Sequence, residues 1–187
     1  MPNLLTHAAD SLKGRVAVVT GGAGGIGRPL TEALAGAGMR IAVCDRDSDA
    51  ITAITEQLTG ADALIECFDV RKTPLLTEFF AAVDERFGSI DVLVNVPGGS
   101  FIHQALEISD NAIDAIVRQN FTYALRASQL AATRMQAAGT GGSIINISTI
   151  EAYRAMPGQA IYGAMKASIE NLTKTLAVEW GPHKIRV

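Results

Sequence analysis

Short β-branched apolar runs alternate with longer segments of helical periodicity along this chain, and that alternation constrains its fold more than any other feature. The runs occupy positions 15–20, 40–44, 64–68, 90–96 and 143–148. Near-continuous apolar runs of this length suit strands buried on both faces of a parallel sheet. Between them, apolar residues recur three and four apart: Leu30 and Leu34, then Leu75, Leu76, Phe79, Phe80 and Val83, and finally Ile161, Met165, Ile169, Leu172 and Leu176. That spacing gathers them on one helical face. Strands alternating with helices predict βαβ units in an α/β fold, a doubly wound parallel sheet with helices on both faces. Punctuation agrees. Gly36 and Gly38 close the first helix, Gly88 closes the element at 75–83, and Gly139 to Gly142 separate a long helix from the fifth strand. Asp47 or Ser48 is expected to cap the second helix, and Thr73, followed by Pro74, the third. No repeat or linker divides the chain, so residues 1–187 are read as one domain.

Composition narrows the function classes. The chain is 48% apolar and carries 19 acidic against 16 basic residues, a net charge of −3. A mild acidic excess without a Lys/Arg cluster argues against nucleic acid or an anionic membrane surface as partner. No apolar run reaches the length of a membrane span. The N-terminus, where His7 and Asp10 interrupt the apolar residues, has no leader pattern. Cys44 and Cys67 read as reduced thiols, and a cytoplasmic setting is expected. His7 and His183 lack partners at ligand spacing, so no metal site is expected.

The first strand runs into Thr20-Gly21-Gly22-Ala23-Gly24-Gly25-Ile26-Gly27, followed directly by a helix. Glycine lets the backbone turn tightly and approach a pyrophosphate, and the free amides and positive helix end hold the phosphates. The strand–turn–helix context favours a cofactor turn, with Gly21, Gly25, Ile26 and Gly27 against the dinucleotide, over a structural loop. Asp45 ends the second strand, 18 residues after Gly27. A carboxylate there accepts from both hydroxyls of an adenosine ribose and repels a 2′-phosphate, which favours NAD over NADP. Arg46, next to it, is the opposing signal.

Tyr162 and Lys166 stand four apart at the start of the last long helix, so phenol and ammonium share one face. A phenol ordinarily ionises near pH 10, and a neighbouring cation favours its charged form, as acid–base chemistry near neutrality requires.

The chain resembles the short-chain dehydrogenase/reductase family along nearly its whole length. The resemblance is carried by Thr20-Gly21-x-x-x-Gly25-Ile26-Gly27, Asp69-Val70, Asn95-x-x-Gly98, Asn120, Asn146-Ile147-Ser148-Thr149 and Tyr162-x-x-x-Lys166. It implies a Rossmann-type fold, a nicotinamide cofactor and reversible hydride transfer between that cofactor and an alcohol or carbonyl substrate. Tyr162 would be the acid/base. Lys166 would bind the nicotinamide ribose, and Asn120 would hold a water in the proton relay behind it. Asp69, with Val70, would receive the adenine amino group. Asn95 would brace the central strands, while Gly98 and Gly99 keep the backbone open beside the nicotinamide ribose.

Two positions depart from the family pattern. The substrate-orienting hydroxyl residue, thirteen positions before Tyr162, is Thr149, which keeps the hydroxyl but adds a methyl. Ser148 is the fallback, although strand alternation turns it to the opposite face. Pro97 follows Asn95-Val96, removes an N–H and stiffens the loop beside the cofactor. His103 reads as surface, and Ile161 and Trp180 as packing. Glu151, Tyr153, Arg154 and Met156 lie in the stretch that would border the substrate. Helices at 113–135 and 160–178 would pair across a two-fold axis, giving a homodimer or homotetramer. The chain ends at Lys184-Ile185-Arg186-Val187, where the family's sixth strand begins, and is therefore expected to be C-terminally incomplete. A function of another class stands beside the enzyme: a catalytically silent dinucleotide-sensing or scaffold module.

Overall fold

The computed structural model describes residues 11–187; the N-terminal reading around His7 and Asp10 lies outside the described residues. Six strands form one parallel sheet in the order β3-β2-β1-β4-β5-β6. They are β1 (Val16–Thr20), β2 (Arg40–Asp45), β3 (Ala63–Cys67), β4 (Val92–Asn95), β5 (Gly142–Asn146) and β6 (Ile185–Arg186). The helices are α1 (Gly27–Gly36), α2 (Ser48–Gln57), α3 (Thr73–Phe87), α4 (Asp110–Val117), α5 (Tyr123–Ala138) and α6 (Ala160–Trp180). This is the doubly wound α/β architecture that the alternation predicts. The sheet order steps outward in both directions from β1, which opens a crevice at the carboxyl ends of β1 and β4.

The two faces of the sheet bury separate apolar clusters. On one, Val16, Val18, Leu93 and Ile144 meet Phe79 and Phe80 of α3, Ala127, Ala131 and Met135 of α5, and Ile169 and Leu176 of α6. On the other, Ala17, Ile41 and Val43 meet Ile54 of α2. Successive strand residues point to opposite faces, so a strand covered on both sides must be apolar throughout. Strand β1 is buried along its whole length and β2 from Ile41 to Cys44, whereas one face of β5 is uncovered at Ile145, 45% exposed.

Local chemistry sets the helix boundaries. Asp47 caps α2 by accepting from the N–H groups of Asp49 and Ala50. Thr73 does not cap α3. Its predecessor Lys72 is the cap residue, and the Lys72 carbonyl already accepts from the Leu76 N–H, closing the first turn one residue earlier. The helix expected over 113–135 is interrupted by a π-helical turn, Arg118–Thr122, between α4 and α5. Its physical cause is Asn120, whose Nδ2 donates to the Ile116 carbonyl at 2.8 Å and competes for the oxygen that an α-helical N–H would take.

Candidate active site

The glycine-rich turn is built by close approaches. A Cβ on Gly27 would lie 2.0 Å from the Gly21 carbonyl oxygen, and Gly21 itself has φ +64°. A side chain at Gly25, by contrast, would meet no protein atom within 4 Å. The helix that follows has no side-chain cap and no acidic residue in its first turn. The Arg28 N–H already donates to the Gly24 carbonyl at 2.7 Å and Pro29 has none, so the positive dipole end reaches the crevice without a side-chain cap. Ile26, at this end, is 64% exposed. A cavity of about 280 Å³ runs along this turn, past Asp45, Asp69 and Val70, to Gly98.

The two carboxylates in the cavity are more occupied than their sequence positions suggest. Asp45 Oδ2 accepts from the N–H groups of Ala23 and Gly24 at 3.3 and 3.2 Å, while Oδ1 accepts from those of Arg46 and Asp47. Asp45 thus ties the end of β2 to the glycine turn. Asp69 is held by Arg71, whose Nε and Nη2 donate to the carboxylate at 2.5 to 3.0 Å. The hydrogen bond from the Arg71 side chain holds the Asp69 carboxyl below its ordinary pKa. Arg71 also lines the cavity, so its guanidinium and the Asp69 carboxylate reach this end together.

Beneath the crevice lies a polar row that no motif count isolates. The parallel register aligns Thr20, Asn95 and Asn146 on adjacent strands. Asn95 Nδ2 donates to Asn146 Oδ1 at 2.8 Å and to Ser128 Oγ at 3.2 Å, and Asn146 Nδ2 donates to Thr173 Oγ1 at 3.0 Å. Asn95 therefore braces β4 against β5, α5 and, through Asn146, α6. A buried network of this kind holds its members in one arrangement only when each is satisfied.

Asn120 sits at the break in the helix and grips the loop after β4. Its Oδ1 accepts from the Gly99 N–H at 3.0 Å, and its Nδ2 donates to the Gly99 carbonyl at 2.9 Å as well as to Ile116. Pro97 is held in the same loop by Tyr123, whose hydroxyl donates to its carbonyl at 2.6 Å. A Cβ added at Gly21 would meet the Pro97 ring at 2.8 Å, so that ring packs on the start of the glycine turn.

Lys166 is 4% exposed and projects from α6 to donate to the Ile147 carbonyl at 2.8 Å. Burial lowers its pKa from the ordinary lysine value. Gly98 is the meeting point of the cleft and this group: a Cβ there would lie 2.7 Å from Lys166 Nζ and 3.2 Å from Asn120 Oδ1. Tyr162 is half-buried in the first turn of α6, on the helical face of Lys166. Tyr162, Lys166, Asn120 and Thr149 lie outside the lining of the 280 Å³ cavity, of which Gly98 is the wall shared with Lys166 and Asn120.

The two hydroxyls after β5 point apart, as alternation predicts. Ser148 Oγ donates to Glu170 of α6 at 2.7 Å, and Thr149 Oγ1 donates to the Glu151 carboxylate. Glu151 lies in a 3₁₀ turn, Ile150–Ala152, and a Cβ on Gly163 would come within 2.9 Å of its carbonyl oxygen. The absence of a side chain at Gly163 therefore lets this turn lie against the first turn of α6, beside Tyr162. Neither glutamate was identifiable as a hydroxyl partner from sequence, since Glu170 is separated from Ser148 by 22 positions. Trp180 is buried in the core, consistent with packing, whereas His103 is exposed and stacks edge-on with Phe101. Among the described residues, no group of His, Cys, Asp and Glu could hold a metal, and no helix is long and apolar enough to cross a membrane.

Comparison with known proteins identifies the family. The sequence model of the short chain dehydrogenase family matches residues 15–187. L-xylulose reductase of Bos taurus is 32% identical over 176 residues, which cover 94% of this chain and 70% of that protein. The 2,3-dihydroxy-2,3-dihydro-p-cumate dehydrogenase of Pseudomonas putida is 35% identical, covering 98% and 71% respectively. A short-chain type dehydrogenase/reductase from Mycobacterium marinum superposes with a TM-score of 0.89 at 32% identity, covering 94% of this chain and 71% of that one. Carveol dehydrogenase from Mycobacterium avium, solved in complex with NAD, superposes equally well at 26% identity, covering 94% and 69%. The chain thus spans about seven-tenths of these proteins while matching them along nearly all of its own described length. It belongs to the short chain dehydrogenase family, as an oxidoreductase fold with a nicotinamide dinucleotide cleft.

Proposed function

We propose that this chain transfers a hydride between NAD(H) and an alcohol or ketone substrate, with Tyr162 as the acid/base. The observation that carries the reading is the convergence at Gly98, where the cleft along the glycine turn meets Lys166 and Asn120, with Tyr162 on the same helical face as Lys166. The residues fit the cofactor: an uncapped helix end for the pyrophosphate, open space over Gly25, and Asp45 at the ribose end. Bound there, the nicotinamide supplies or accepts the hydride.

The chain's own residues handle the proton. In reduction, the Tyr162 hydroxyl donates to the carbonyl oxygen as hydride arrives at carbon; in oxidation, the phenolate takes the alcohol proton. Lys166 has three N–H donors and spends one on Ile147, which leaves two for the ribose hydroxyls and the phenol side. Asn120 fixes the Gly98–Gly99 backbone against which the nicotinamide ribose would rest. Asp45 favours NAD over NADP by repelling a 2′-phosphate. The exposed faces of α5 and α6, with Val178 81% exposed, support a homodimer or homotetramer. A cytoplasmic location is the accompanying proposal.

Thermal unfolding with each dinucleotide tests the reading. NADH should raise the melting temperature more than NADPH, and Tyr162→Phe should remove turnover while sparing that shift. A chain that neither dinucleotide stabilises would lack the proposed cofactor site. Binding of NADH without reduction of any member of a carbonyl panel would instead support the silent sensing module.

A further inference from the structure

Resting on that reading, we infer that Gln119 is a further cofactor-binding residue, whose amide oxygen accepts a hydrogen bond from a hydroxyl of the nicotinamide ribose. Gln119 belongs to the π-helical turn Arg118–Thr122 and is half-buried in the wall of the 280 Å³ cavity, together with Val96, Pro97 and Gly98. A Cβ added at Gly99 would lie 3.2 Å from Gln119 Nε2, so this amide stands at the end of the cleft that Lys166 and Asn120 flank. Asn120, the next residue of the turn, is outside that wall and 1% exposed. A π turn widens the helix by one residue, and such turns recur at functional sites. Here it divides two neighbouring amides: one grips the loop and the other borders the cavity.

The polar groups around Gly98 leave one requirement of a ribose unmet. Lys166 carries donors only, so each hydroxyl oxygen it holds still has a proton that needs an acceptor. The acceptors nearby are engaged by the protein itself. Asn120 Oδ1 accepts from the Gly99 N–H, and the Gly99 carbonyl accepts from Asn120 Nδ2. The Pro97 carbonyl accepts from Tyr123, and the Ile147 carbonyl from Lys166. Among the described residues, the Gln119 amide makes no hydrogen bond. It therefore keeps an oxygen with two lone pairs for the cofactor. A neutral amide also meets the dinucleotide without the repulsion that a carboxylate would bring beside a pyrophosphate.

Gln119→Met keeps the length of the side chain and removes its donors and acceptor; Gln119→Leu is a second variant that lacks them. Three ligands locate the contact on the full chain: NADH, ADP-ribose, which lacks the nicotinamide, and ADP, which lacks the second ribose as well. NADH is titrated by its fluorescence, and ADP-ribose and ADP by competition with it. One hydrogen bond corresponds to about a tenfold change in affinity. Each variant should therefore bind NADH and ADP-ribose about tenfold more weakly, and ADP within about twofold of the unsubstituted chain. Without ligand, the melting temperature should move by less than about 2 °C, since the amide holds no other part of the chain. The inference is overturned if ADP weakens as much as the other two, which would mark deformation of the cleft. It also fails if NADH weakens alone, which would place the amide at the nicotinamide ring, or if both variants melt well below the unsubstituted chain. NADH bound equally by all three proteins refutes the role of Gln119 alone, whereas a chain that binds no dinucleotide refutes the cofactor site and this contact together.

Discussion

Replacing Asn120 with Asp changes one NH₂ group to oxygen and nothing else in size, which isolates the hydrogen-bonding role of this buried side chain. Asn120 is 1% exposed and donates from Nδ2 to two carbonyls, those of Gly99 and Ile116, both within 2.9 Å. Asn120→Asp removes both donations, worth about 1 kcal/mol each. It also sets a carboxylate oxygen against two carbonyl oxygens in a buried site, a class of change that costs about 3–5 kcal/mol. The Lys166 ammonium flanks the same Gly98 and compensates part of the charge. The expected loss is therefore about 3 kcal/mol, or a fall in melting temperature of about 6–12 °C for a chain of this length. Asn120→Ala loses all three bonds but introduces no charge, and the freed Ile116 carbonyl can accept from backbone once the π turn relaxes. It should cost about 1–2 kcal/mol. Urea unfolding of both variants without ligand gives the comparison. A loss below about 1 kcal/mol for Asn120→Asp, or an alanine variant less stable than the aspartate one, would show that this side chain fills space instead of clamping the loop.

Other outcomes follow from the same site. Lys166 is buried and donates to the Ile147 carbonyl, so its charge is stabilised less in the folded chain than in water. Lys166→Met should raise the melting free energy by about 1 kcal/mol without ligand while abolishing stabilisation by NADH. Because the folded pKa of Lys166 is lowered by burial, the unfolded chain holds more protons between that value and the ordinary lysine pKa. Stability of the unsubstituted chain therefore rises with pH there, and the advantage of Lys166→Met should shrink; an advantage constant with pH would contradict the linkage. The two glycines of the turn separate folding from binding. Gly27→Ala places a Cβ 2.0 Å from the Gly21 carbonyl oxygen and should cost about 2 kcal/mol or more. Gly25→Ala meets no protein atom and should stay within about 0.5 kcal/mol of the original chain while weakening NADH binding. Equal affinity in Gly25→Ala would remove the cofactor from the space above it.

Much of the site was legible because its signals are local. Apolar periodicity encodes which residues of one segment share a face, so the five long strands could be placed to within two residues. The offset of four between Tyr162 and Lys166 needs only helical geometry. Asp47 declares its cap through its own side chain and the two N–H groups that follow it. The boundary at Thr73 was missed because hydroxyl capping competes with a turn that can close one residue earlier. The interrupted helix was missed because apolar spacing does not register an asparagine that bonds backward to Ile116.

The sequence by itself determined the doubly wound α/β sheet, the position of the glycine turn and the helical face shared by phenol and ammonium, since each depends on residues adjacent along the chain. Only the tertiary structure decided the partners of the polar groups. Parallel register brought Thr20, Asn95 and Asn146 into one row, though they are separated by 75 and 51 positions. Packing of the turn at Ile150–Ala152 on Gly163 put Glu151 beside the start of α6, and Glu170 of the same helix accepts the Ser148 hydroxyl hydrogen bond. A hydroxyl or carboxylate carries the same chemistry wherever it occurs. What it can offer a ligand depends on which of its bonds neighbours in space have already taken, and those neighbours are set by the fold.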